Sequence, residues 1–232
     1  MKKIGFTLAE VLITLGIIGV VAALTIPTLI QNHRNQVVET RLKKFYSNIN
    51  QAILLAELDY GDRTYWHNTN DVAAHKDGSP VKGNDPREKW LNKYIVPYIK
   101  TIKSDAHTNY NNIPAITFAD GSSIAMAHPT YMNDWTFYIG NISKCNKLAD
   151  TGICKFSFSY APEAATLNGW QNIGKNFEPY KWCYYGDLKE LENACINKKS
   201  LGSGVLAANY CTALIQANGW KIPKNYPYKV RY

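Results

Sequence analysis

From Phe6 to Ile30 the chain is apolar except for a single charge, Glu10, and the next charged residue is Arg34. As an α-helix those 25 residues rise about 37 Å, more than the ~30 Å hydrocarbon core of a bilayer. A helix that is apolar all round must be covered on every side, here by lipid or by other helices. A lone carboxylate in such a segment is costly, which marks Glu10 as functional and calls for a cationic partner. A cut between Gly5 and Phe6 would create one. The α-amino group of Phe6 would lie four residues before Glu10, on the same helical face. Lys2 and Lys3 favour a cytoplasmic N-terminus and so an external residue 34–232 segment, although Lys43 and Lys44 lie near the far end.

Two plainer readings fit less well. A secretory signal peptide cut near Val21-Ala22-Ala23 would have a shorter apolar core and no acid inside it. A simple anchor would leave Glu10 without a purpose. Beyond the apolar run about 200 of the 232 residues remain, enough for one compact domain with a sizeable core. The mean hydropathy of −0.29 marks that remainder as water-facing. Net charge is +8, or +6 once Lys2 and Lys3 leave with residues 1–5. Sixteen tyrosines and six tryptophans suit an ordinary core, and no dense Lys/Arg cluster stands out to support nucleic-acid binding.

The segment Gly5-Phe6-Thr7-Leu8-Ala9-Glu10 resembles the G-F-T-L-x-E processing motif of the prepilin family, the type IV pilins and type II secretion pseudopilins. The likeness covers about the first 35 residues, including Pro27, where that family often carries a helix-loosening proline; Ile4 departs from the polar residue common before the glycine. The resemblance implies that prepilin peptidase cuts after Gly5 and that Phe6 is N-methylated. It makes Glu10 and Pro27 assembly residues. It implies copies of the chain and other pilin-like subunits, an inner-membrane assembly platform and the lipid bilayer as further partners. The protein would be single-pass in the inner membrane with its head outside the cytoplasm, then part of a periplasmic or cell-surface filament. Cys211 to Pro223 looks like the tails of some bacterial pilin-like proteins.

Five cysteines, at 145, 154, 183, 195 and 211, all fall in the external part, where disulfides form. Without a C-x-x-C pair, zinc-ribbon and thioredoxin-type sites are disfavoured. Fifteen patterns of two bridges are open. The preferred one joins Cys145 to Cys154 and Cys195 to Cys211, leaving Cys183 free, buried or bonded to another molecule, and the plain alternative keeps several cysteines buried and reduced.

The helix continues beyond the membrane. Val38, Leu42, Phe45, Ile49, Ala52 and Ala56 recur at steps of four and three, an amphipathic stripe, with Glu39 and Lys43 as an i, i+4 pair. Asp59-Tyr60-Gly61-Asp62 stops it, and Pro27 is a candidate kink. After a loop over 62–86, Asp85 and Pro86 open a short helix that Pro97 ends. Ile113–Ala119 and Ser122–Ala127 flank Asp120-Gly121 as a hairpin, and 135–139 and 153–160 read as strands. Residues 161–186 read as loops, 188–196 as a helical turn, and 207–217 as a helix ended by Asn218-Gly219.

The expected fold is therefore α+β: a long N-terminal helix packed against an antiparallel sheet. Its parts are a leader (1–5), an assembly helix (6–30), an amphipathic continuation (31–60) and a globular head (61–232) whose C-terminal region bears a disulfide. Hydrolase elbows, phosphate loops and H-E-x-x-H pairs are missing, so no enzyme and no cofactor are expected. His67 with His75, and Asp59, Asp62, Asp71 and Asp77 around calcium, lack a ligand spacing and read as solvated loops rather than a metal site. The expected function is a structural subunit of a type IV pilus or type II secretion pseudopilus. The alternative is a membrane-anchored surface binding module, an adhesin or DNA-uptake minor pilin.

Overall fold

The structure, a computed structural model, describes residues 5, 7–66, 85–107, 113–126, 134–145, 147–160, 177–181, 187–199 and 206–232. One rod dominates it: helix α1, Leu8–Tyr60, 53 residues long. Among the described residues its most apolar 18-residue window is wholly uncovered, and the head reaches back only as far as Gln31. Its second half is buried along one line, Val38, Leu42, Phe45, Ile49, Ala52, Ile53 and Ala56. The switch follows the sequence: only beyond residue 31 do polar residues separate the apolar ones, so only there is there one dry face to offer a sheet. Gly61, at φ 76°, ends the helix.

The sheet is a six-stranded antiparallel meander in chain order: β1 Thr101–His107, β2 Pro114–Phe118, β3 Ser123–Met126, β4 Asp134–Tyr138, β5 Lys155–Tyr160 and β6 Phe177–Pro179. Alternation puts Trp135, Phe137, Phe156, Phe158 and Tyr160 in the core beneath α1. There Phe45 stacks on Phe137 at 4.0 Å and meets Phe158 edge-on at 5.0 Å. Burying each large side chain of this group stabilises the head by roughly 1.5–3 kcal/mol. At the β2–β3 turn, Gly121 takes φ 78° and its N–H donates to the carbonyl of Phe118, the three-residue hairpin form.

Helix α2, Pro86–Tyr94, starts on Asp85, whose carboxylate accepts from the N–H of Arg87 and from its buried guanidinium. It places Trp90, Leu91 and Tyr94 over the far end of the core. Helices α3, Leu188–Cys195, and α4, Cys211–Ala217, form a second cluster with Tyr180 and Tyr210 beside β5 and β6. A third cluster lies on the other sheet face, where Ala115, Ala125 and Tyr138 meet Ile142, Cys145 and Cys154.

Several sequence expectations are corrected. Residues 177–179, read as loop, are the edge strand β6; three residues among Gly, Asn and Pro leave no periodicity to find. Strand β1 was not anticipated, and its pairing with β2 is broken by register shifts. The second helix ends at Tyr94, and Pro97 sits inside a 3₁₀ turn, Val96–Tyr98, rather than marking the helix end. The 207–217 helix begins as a 3₁₀ turn, Ala207–Tyr210. Glu39 does not pair with Lys43: it is buried and bonds Lys221 at 2.8 Å and the N–H of Ile222 at 2.9 Å.

Candidate functional site

The N-terminal end of α1 is built by Thr7. Its backbone is extended, and its hydroxyl oxygen accepts from the N–H of Glu10 at 3.3 Å while Glu10 Oε2 accepts from the N–H of Thr7 at 2.8 Å. The Thr7 hydroxyl also donates to that carboxylate, at 2.7 Å. This is a capping box, which satisfies donors that the first helical turn leaves open. So within one protomer Glu10 is tied back to its own helix end, two residues beyond Gly5. Thr7 was overlooked from sequence, although T-x-x-E ahead of an apolar run is a legible signal. Phe6, the proposed cut and methylation position, lies outside the described residues.

Pro27 does not break the rod. Its ring removes the N–H that would bond the carbonyl of Ala23, yet α1 runs on through it, and two turns of the same segment gain side-chain bonds, from Thr14 to the carbonyls of Glu10 and Val11 and from Thr25 to that of Val21. Leu12, Ile13, Ile17, Ile18, Leu24 and Leu29 are each at least half exposed, a full circle of apolar surface without a cover.

The covered half of α1 is fixed in register by polar contacts. Glu178, buried, accepts from the hydroxyl of Tyr46 at 2.6 Å and from Gln216 at 2.9 Å, so α1, β6 and α4 meet at one carboxylate. The Glu57 carboxylate receives the Arg63 guanidinium, which holds its pKa below the usual value against the opposing effect of burial. The C-terminal segment returns to the helix. Val230 is buried and its carbonyl accepts from Gln31, Arg231 bridges to Asp150 at 2.8 Å, and the Tyr226 hydroxyl donates to Gly152. Gly152 is needed there: at φ 78°, any Cβ would stand 3.1 Å from the Tyr228 ring.

A cleft of about 270 Å³ opens between α1 and the β2–β3 hairpin. Phe45, Phe118 and Phe137 floor it, and Arg41, Lys44 and Lys100 rim it. Asp120 is its acid. Burial opposes its ionisation, but the hydroxyl and N–H of Ser122 and the charges of Lys44 and Arg41 keep its carboxyl below the usual value. An aromatic floor under a cationic rim complements a small anion with an apolar body. Nearby, Tyr98 donates to Asp59, which pushes the phenol up to about 12.

The cysteines Cys145 and Cys154 are bonded, as are Cys195 and Cys211, the two pairs preferred from the sequence. Cys183 lies outside the described residues. Asp150 sits close to the first bridge, but both sulfurs are consumed by it and Asp150 is held by Arg231, which is no ligand set for a metal. His67, His75, Asp71 and Asp77 are outside the described residues. Asp59 is engaged by Tyr98, and Asp62 caps the 3₁₀ turn Arg63–Tyr65 by accepting from Thr64.

A family model described as a family of unknown function (DUF6613) matches residues 28–230, the covered half of α1 and the whole head. No curated protein and no solved structure matches the chain.

Proposed function

We propose, for a chain that belongs to this family of unknown function (DUF6613), the role of a structural subunit of a type IV pilus or type II secretion pseudopilus. One observation carries the reading. A single rigid helix is bare over its apolar half and covered by its own head over the rest, so the molecule is satisfied only in lipid or among neighbouring helices.

Prepilin peptidase removes residues 1–5 and methylates the new terminus at Phe6. The subunit waits with its apolar half in the inner membrane and its disulfide-bonded head outside the cytoplasm. Assembly replaces lipid by the helices of neighbours. In that dry bundle the Glu10 carboxylate needs a charge partner, and the Phe6 ammonium of an adjacent subunit supplies it. Breaking a buried pair of this kind costs about 3–5 kcal/mol, so the acid selects one axial offset. The capping box gives Glu10 a neutral partner in the meantime, which lowers the cost of holding the acid in the membrane before assembly.

Mass spectrometry of the N-terminus of the native protein is the direct test. The reading expects a chain that begins with N-methylphenylalanine at position 6. A chain that retains Met1, or that begins near residue 24, overturns it.

A further inference from the structure

Core contacts give the head a lower and an upper end along the rod. Strand β4 starts near the top, where Trp135 meets Trp90 at 5.6 Å and the ring of Tyr94, beside Trp90, touches Tyr60, the last residue of α1. It descends past Phe137, stacked on Phe45, to Ile139, whose carbonyl accepts from Arg41. The connection from Gly140 to Cys154 therefore hangs from the end of the sheet nearest the bare half of α1. The C-terminal segment lies there too. The Val230 carbonyl accepts from Gln31, one residue past Ile30, and Arg231 donates to the Lys144 carbonyl at 3.0 Å and to Asp150 at 2.8 Å. This underside is basic. Lys144, Lys147 and Lys229 are exposed, Arg34 is exposed on the helix beside them, and none of the four is paired with an acid among the described residues. Asp150, the only acidic side chain in residues 31–37, 139–154 and 227–232, is buried and taken by Arg231. Next to Lys147, Leu148 is 72% exposed.

We propose that the underside of the head docks on the phosphate headgroups of anionic phospholipids in the bilayer that holds α1; the proposal rests on the membrane placement of α1, one part of the reading above, and not on filament assembly. The same helix that anchors the chain sets this surface at the right height. Arg34 stands about 6 Å beyond Ile30, inside the headgroup layer and within one screening length of ~8 Å. Unpaired cations at that height are attracted by an anionic leaflet, and an exposed leucine among lysines suits the boundary between headgroups and acyl chains. A second copy in the same bilayer turns its own underside to the same lipid, so two undersides cannot cover each other, and their like charges repel. Docking fixes the tilt and rotation of the rod, and with them the side of the bare helix that a neighbour meets.

The test places the full chain in lipid nanodiscs and acylates its lysines with a water-soluble reagent, the rate at each position being read by mass. In phosphatidylglycerol discs Lys144, Lys147 and Lys229 are expected to react at least about threefold more slowly than in phosphatidylcholine discs, and the slowing should fade as salt is raised. Lys93, exposed at the other end of the head and 5.0 Å from the centre of the Tyr60 ring, is the reference whose rate stays unchanged. Lys147→Gln combined with Lys229→Gln, both at exposed positions, should return Lys144 to its phosphatidylcholine rate, because the head loses its hold with half of the four charges. Equal rates in the two lipids overturn the dock. So does a Lys144 that stays slow in the double variant, which reports closeness to a charged surface without docking. Equal protection by inorganic phosphate added to phosphatidylcholine discs overturns it in favour of a free-anion site. Protection in lipid-free detergent that grows with protein concentration overturns it in favour of contact between copies. A failed dock beside a methylated Phe6 retires the dock alone, and a dock found on a chain that keeps Met1 retires the subunit reading alone.

Discussion

The two halves of α1 share a backbone and differ in everything that surrounds it. Among the described residues below residue 31 the large apolar side chains lie exposed, and the polar order is the Thr7–Glu10 box at the tip with the Thr14 and Thr25 hydroxyls on the helix's own carbonyls. Above it, one face is sealed by Phe137, Phe158 and Phe177, and polar ties at Glu39, Tyr46 and Asn50 fix its rotation against the head. The contrast teaches that helix formation and helix placement are separate problems. Hydrogen bonds within the rod make both halves helical; only the upper half has a partner inside the chain. Stability of the head and competence for assembly should therefore respond to different substitutions.

The strongest way to break that comparison is Glu10→Val. We expect normal insertion, normal cleavage and an unchanged melting temperature of the head, but a loss of more than about 100-fold in subunit recovered from filaments, the equivalent of a broken buried pair. Normal recovery would remove the division of labour. Gly5→Glu should stop one step earlier, leaving uncut precursor on a denaturing gel.

Next in size is the matched pair Phe45→Ala and Leu12→Ala. The first empties a space among stacked rings, so the head should lose about 3–5 kcal/mol and roughly 10 °C of melting temperature. The second removes an equally apolar side chain with no neighbour, so calorimetry in detergent should find no change. A similar loss at both positions would mean that the lower half contributes to the head after all.

Cys195→Ser should cost about 3 kcal/mol, because the bridge to Cys211 closes a loop of 16 residues in the unfolded chain. The urea midpoint should shift while cleavage at Gly5 does not.

The smallest expected effect is on pH. The folded-state pKa of Glu57 lies below its unfolded value, so its contribution is complete above ~4.3 and disappears as pH falls through the folded value. Glu57→Gln should flatten the acid end of the stability curve and leave pH 7 to 9 parallel to the parent, read as urea midpoints across pH.

Much of the fold is written locally. Asp120-Gly121 between alternating runs specified its hairpin, Asp85-Pro86 opened α2, and Phe156, Phe158 and Tyr160 declared the inward face of β5. What failed was long-range or very short. Lys221 lies 182 residues from Glu39, and no i, i+4 rule can weigh it against Lys43. Strand β6 exists because Tyr160 already offers an edge to Phe177, which the segment itself does not announce. At the tip of α1, spacing pointed to Glu10 and to a charge four residues back, but passed over the threonine between them that holds the acid in the single protomer.

The return of the chain to its own beginning has a bearing on the order in which the head closes. Lys221 reaches Glu39, the Val230 carbonyl reaches Gln31, and Arg231 clasps the loop bridged at Cys145 and Cys154. These clasps cannot form until residues 221–231 lie beside residue 31, so the last-made segment of the chain is the one that closes the head onto its helix, and a chain cut short before residue 221 would lack all three ties.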